Sequence, residues 1–299
     1  MNAIAWTAGV GPVTPPTDNR DRRLVIMALV VRWEGRVDAP LNGIVLCTGR
    51  SKQGWLRPTT RLRLLRTQAG FDRSLLRLGF ARCPDQPRTF PGEGPVDRFA
   101  RALCEHRATC FREVIESFEF FALARKHARR EVVADLCGGH GLVAVLFVMF
   151  EREVERALVL DRSRPDSFDR ILMAAEQAAP WTAGRIDYVQ SNLRNAPKLV
   201  PPEAGLVSVH ACGIRTDRVL ELAIANHAPV AVMPCCHPVG TSGAPAAVKK
   251  ALQHAAVDVD RTYQLEAAGF HVRWSSVSDR ITRMNRVILA RPRRTASTR

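Results

Sequence analysis

From residue 131 onward the sequence alternates short apolar runs with amphipathic stretches, and this alternation is the feature that most limits the folds open to it. Runs at 131–136, 157–161, 186–190, 206–209 and 230–233 read as strands. Helical patterns fill 142–154, 168–178 and 216–226, with a long helical stretch at 246–268. Strands separated by helices form parallel sheets with helices on both faces. The last two runs, 271–276 and 286–290, lie too close together for a helical crossover, so they suit an antiparallel pair. The expected fold class is therefore α/β: a Rossmann-like seven-stranded sheet of five parallel units plus a terminal antiparallel hairpin.

The part before residue 130 is harder to read. Residues 24–31 and 43–47 suit short strands, and a helical pattern begins near residue 59. Residues 98–127 carry Phe99, Leu103, Phe111, Val114, Ile115, Phe118 and Phe121 at helical spacing, which predicts one long helix. The expected organisation is a basic, mostly helical extension over 1–104, a domain over 105–292 and a basic disordered tail over 293–299. The chain has 299 residues, 46% of them hydrophobic, which is ample for a core and excludes a fibre or a wholly disordered chain. Its longest apolar runs, 24–31 and 142–150, fall far short of the roughly 18–20 residues that cross a bilayer. The first residues carry no basic and apolar leader, so the chain reads as cytoplasmic. Eight scattered cysteines suit reduced thiols better than a disulfide framework.

Lysine and arginine number 44 against 29 acids, a formal charge of +15, which suggests a polyanionic partner. The densest basic run lies within residues 50–70, where Arg50, Lys52, Arg57, Arg61, Arg63 and Arg66 surround Trp55 with no acid among them. Such a run suits phosphates and a stacked base, and it equally suits a solvated face of an arginine-rich protein.

The first strand of the alternating region runs into Asp135, Leu136, Cys137, Gly138, Gly139, His140 and Gly141, and an apolar helix follows at once. Glycines there permit a tight turn, and the helix start offers free N–H groups at a positive dipole end. The segment from Gly139 to Ala144 also satisfies the dinucleotide fingerprint, and Asp161 falls where a ribose-binding acid belongs, so NAD competes as the ligand. Asp135 ahead of the glycines argues for S-adenosylmethionine, because a carboxylate suits an ammonium group and repels a pyrophosphate. The terminal strand pair points the same way.

With these residues in view, 105–292 resembles the class I SAM-dependent methyltransferases. DLCGGHG, VHACGIRTD and VMPCCHP resemble more narrowly the domain shared by eukaryotic acceptor-stem tRNA 2′-O-methyltransferases and the glutathione S-transferase C-terminal-domain-containing protein. The resemblance implies that Asp135, Gly138, Gly139 and Gly141 shape the methionine end of a SAM pocket. It implies that Asp161 accepts the ribose hydroxyls and that Asn192 meets the adenine amine, where an Asp is commoner.

Methyl transfer needs an aligned nucleophile and sometimes a base. His210 and Cys212 close the fourth strand, while Cys235, Cys236 and His237 close the fifth, at the edge where open α/β sheets bind ligands. His237 or His210 could deprotonate a hydroxyl, and Cys235 could attack a pyrimidine ring. The same residues could be small core thiols and loop-bonding histidines. Cys212, Cys235, Cys236 and His237 lack a standard zinc spacing, and no metal is expected. A second group, Cys83, Cys104, His106 and Cys110, has zinc-binding elements, but one continuous helix would turn Cys104 and His106 apart. The expected function is SAM-dependent methylation of RNA, tRNA-like and at a ribose 2′-O. A protein or small-molecule substrate, a non-catalytic RNA-binding role and an NAD-dependent oxidoreductase stand as alternatives.

Overall fold

The computed structural model describes residue 90 and residues 92–236, 239–279 and 281–293, all in one compact unit. The basic run at 50–70, the strands expected at 24–31 and 43–47, Cys83, His237 and the tail from residue 294 lie outside the described residues.

Seven strands form one sheet: β1 (Val132–Leu136), β2 (Arg156–Asp161), β3 (Ile186–Gln190), β4 (Gly205–Val209), β5 (Val230–Met233), β6 (Phe270–Ser276) and β7 (Arg286–Pro292), in the order β3-β2-β1-β4-β5-β7-β6. β1 to β5 pair in parallel, and β7 inserts antiparallel to both β5 and β6. This is the seven-stranded class I methyltransferase fold, with its α/β layers as expected. Strand order reverses between β1 and β4, and crevices for ligands open at such a switch point, beyond the strand C-termini.

Eight helices of the described residues flank the sheet: α1 (Pro95–Glu105), α2 (Phe111–Ala128), α3 (Leu142–Phe150), α4 (Ser167–Ala178), α5 (Ala196–Leu199), α6 (Ile214–Ala225), α7 (Ala246–Leu252) and α8 (His254–Ala267). One core layer gathers Phe99, Phe118, Phe121, Phe147, Phe150 and Ile171 from α1 to α4. The opposite layer gathers Leu193, Val219, Leu220, Leu265 and Phe270. All nine residues of α3 are buried, which its unbroken apolar composition requires. Among the described residues, no helix is long and apolar enough to cross a membrane.

The single helix expected over 98–127 is two helices. Arg107 adopts φ +48°, the Ala108 N–H reaches the Leu103 carbonyl at 2.9 Å and the Arg107 N–H reaches Cys104 at 3.0 Å. These bonds form a Schellman stop with arginine in the left-handed position usually given to glycine, so the residue pattern carried no signal of it. The stretch expected at 246–268 likewise breaks at Gln253, φ +46°. α3 ends at Phe150 rather than residue 154, and the buried Glu151 just after it takes an ion pair from Arg125 and another from Arg129 at 3.1 Å.

Candidate active site

β1 delivers the chain into the glycine turn with Asp135 buried at 2% exposure. Three turn residues are left-handed, Cys137 (φ +57°), Gly139 (φ +52°) and Gly141 (φ +72°). A Cβ at Gly138 would lie 2.7 Å from the Asp135 carboxyl carbon, so only glycine lets the turn fold back over that acid. A Cβ at Gly139 would meet nothing within 4 Å, which marks open space above the turn. Burial pushes the Asp135 carboxyl up to about 7, against the opposing pull of His140 and the Ala144 N–H.

The acid at the end of β2 is joined to this turn. The Gly139 N–H donates to Asp161 Oδ2 at 3.1 Å, and the Ser163 N–H lies 3.4 Å from Oδ1. Tyr188 on β3 sets its hydroxyl 3.0 Å from the Gly139 carbonyl and 2.7 Å from that of Ser163, and burial first raises its phenol to about 12. Tyr188 also meets Phe168 edge-on at 4.7 Å, with the Arg164 guanidinium over Phe168 at 5.0 Å. Turn, Asp161 and β3 thus form one braced cradle. Asn192 is exposed after β3, and its Oδ1 accepts the Arg194 N–H at 3.0 Å, leaving its amide NH₂ free of that cap.

At the other side of the switch point, His210 (φ +60°) ties its N–H to the Met233 carbonyl at 2.9 Å, joining the ends of β4 and β5. Its Nε2 stands 3.0 Å from Glu116 Oε1, while Nδ1 is buried without a hydrogen-bond partner. Cys212, Cys235 and Cys236 are together there, with 2.9 Å between the sulfurs of Cys212 and Cys235. Burial, then the neighbouring thiols, push the Cys235 thiol well up, which disfavours the thiolate that attack on a ring requires.

Two contributors escaped the sequence reading. Glu113 and Glu116, one turn apart on α2, face the site: Glu113 Oε2 lies 3.4 Å from His140 Nε2 and Glu116 reaches His210. The His140 contact holds the Glu113 carboxyl down at about 2. In the sequence they belong to a row of three acids, Glu113, Glu116 and Glu119 at i, i+3 and i+6, which reads as a solvated helix stripe and names no partner. Thr216 and Asp217 of the motif after β4 are structural: the Thr216 hydroxyl bonds the Ala211 carbonyl, and Asp217 accepts from the buried Arg261 at 2.6 Å. In the second cysteine and histidine group, His106 Nε2 pairs with Gln177 Oε1 at 2.8 Å and Cys110 stands at the residue before α2, with no capping bond from its side chain.

The opposite edge of the sheet carries a groove of about 750 Å³ lined by Lys126, His127, Arg129, Arg130, Arg291 and Arg293, with Glu153 as its acid. Burial, then Arg291, Arg273 and His271, hold the His127 imidazole down at about 4. Burial, then Arg130 and Arg129, lower Arg291.

No protein-family model matches the chain, and no curated protein matches it. Among solved structures it resembles a candidate rRNA methylase from Clostridium thermocellum (TM-score 0.40, 11% identity, covering 57% of this chain and 92% of that one). It also resembles a candidate methyltransferase of Streptococcus mutans in complex with SAH (0.39, 8%, 57% and 93%). A third is a SAM-dependent methyltransferase from Aquifex aeolicus (0.36, 14%, 57% and 87%). The fold itself is fixed by this chain's own strand order, with its reversed seventh strand between β5 and β6.

Proposed function

We propose that the protein is a SAM-dependent methyltransferase acting on RNA. The observation that carries the first half is the hydrogen bond from the Gly139 N–H to Asp161, which locks the β2 acid beside a glycine turn with open space above it. That donor set fits S-adenosylmethionine: an acid for ribose hydroxyls, a carboxyl at Asp135 for an ammonium group, and backbone too close for any side chain at Gly138. When bound, the cofactor supplies an electrophilic methyl group on sulfur.

The chain's own part is placement. Asp161 and the turn hold the ligand, Asn192 remains available to an adenine edge, and Tyr188 stiffens the wall. The acceptor comes to the ends of β4 and β5, where Glu116 stands beside the His210 ring, and alignment supplies most of the acceleration. His210 and His237 stand as proton acceptors, Cys235 as the nucleophilic alternative. RNA as acceptor is supported by the charge of +15 and by the arginine groove, where burial and then Arg130 and Arg129 lower Arg291.

The test is calorimetric titration with S-adenosylhomocysteine, NAD in parallel and Asp161→Ala as control, followed by transfer of a labelled methyl group to total RNA, protein and metabolite fractions. Homocysteine-product binding lost in Asp161→Ala, with label entering RNA, is expected. Preference for NAD would overturn the cofactor, and label entering protein or metabolites alone would overturn the RNA substrate.

A further inference from the structure

The ends of β4 and β5 bring together three thiols that the methyl-transfer reading leaves without a common role. Cys212 Sγ lies 2.9 Å from Cys235 Sγ, Cys235 Sγ lies 3.6 Å from Cys236 Sγ, and all three fall within 4.8 Å of one another. The backbone builds this meeting. The left-handed His210 and Gly213 (φ +62°) fold the β4–α6 connection back toward β5, and the His210 bond to Met233 fixes the two strand ends side by side.

Three sulfurs bound to one zinc-class ion at about 2.3 Å in tetrahedral array stand roughly 3.8 Å apart. Two of the separations fall short of that spacing by about 0.9 and 0.2 Å and the third is within 4.8 Å, so side-chain rotations of that order bring all three onto one ion. Among the described residues no carboxylate joins the group, and an all-sulfur donor set selects a thiophilic ion over magnesium or calcium. Cys236 is exposed, which gives an ion a way in. The spacing looked unlike a zinc motif because one ligand comes from a neighbouring strand, 23 residues before Cys235.

We propose that Cys212, Cys235 and Cys236 form a three-thiolate site for a thiophilic divalent cation of the zinc class at the strand edge, with no fourth ligand among the described residues. Binding converts three thiols to thiolates and releases three protons, leaving a complex of charge −1 beside the α6 N-terminus. The site does not depend on which cofactor occupies the glycine turn.

The full chain, purified with zinc and desalted, is expected to retain one zinc per chain by elemental mass spectrometry. Cys212→Ser, Cys235→Ser and Cys236→Ser should each weaken zinc by at least about 100-fold in competition with a chromogenic chelator, while Cys110→Ser leaves it unchanged. Two readouts on the unaltered protein cover serine variants that fail to fold: a thiolate-to-cobalt charge-transfer band on cobalt loading, and zinc protection of these three cysteines from iodoacetamide by peptide mapping. Absence of stoichiometric zinc, absence of the cobalt band, or unchanged alkylation of the three thiols with zinc present would overturn the site.

Discussion

Gly205, the first residue of β4, faces the carbonyl oxygen of Ala128 so closely that a Cβ built on it would lie 1.6 Å from that oxygen. Ala128 ends α2, so helix and strand meet backbone to backbone at this point. Gly205→Ala should therefore force the two apart and cost at least about 3 kcal/mol in urea unfolding. A change under about 1 kcal/mol would show that the strand start relaxes freely.

Arg261, 1% exposed, is held by Asp217 at 2.6 Å and by Asp258 at 3.0 Å, and Asp258 also takes Arg286. Removing the fully buried Asp258 leaves a buried guanidinium short of its counter-charge. Asp258→Ala should cost about 3–5 kcal/mol, and Asp217→Ala less, because Asp217 is partly exposed. Thermal unfolding of the two variants side by side checks the order.

Asp135 makes stability depend on pH in a definite sense. Its folded pKa of about 7 lies above the ordinary 3.8, so the native state holds a proton that the unfolded chain gives up. That contribution is full below the unfolded value and is lost as pH rises through about 7. Asp135→Asn removes the titration, so its stability relative to the native protein should rise between pH 5 and pH 8, by about 2–3 kcal/mol. The same variant should lose affinity for S-adenosylhomocysteine. Denaturant curves at the two pH values decide the first point, and a pH-independent difference would refute it.

Arg130 and Arg291 line the groove at the edge opposite the glycine turn. If RNA phosphates occupy it, the double variant Arg130→Glu with Arg291→Glu should weaken RNA binding and reduce the salt slope by about 2, while affinity for S-adenosylhomocysteine is unchanged. A strand of five residues rises about 17 Å, so RNA reaching both edges must exceed that span, and trinucleotides should not feel the double variant. Filter binding across salt concentrations with short and long RNA measures both effects.

Much of the fold was legible in the sequence because apolar period and length dictate it: the runs at 186–190 and 230–233 match β3 and β5 residue for residue. The glycine turn and Asp161 were legible for a related reason, since tight turns and strand-end acids leave local signatures. The helix stops at Arg107 and Gln253 were not, because each is a left-handed residue chosen by tertiary packing where composition suggests continuation. The partnership of Glu116 with His210 joins residues far apart in the chain, and nothing at either position announces it. Cys137 shows the converse: a side chain sits at a left-handed turn position that the glycine pattern leads one to skip.

β7 lies between two strands that both precede it in the chain, β5 and β6. β6 therefore has no neighbour in the sheet, and β5 keeps a bare edge, until residues 286–292 are in place. A chain lacking residues 286–292 would therefore hold out two unpaired strand edges, the form that invites pairing with its neighbours.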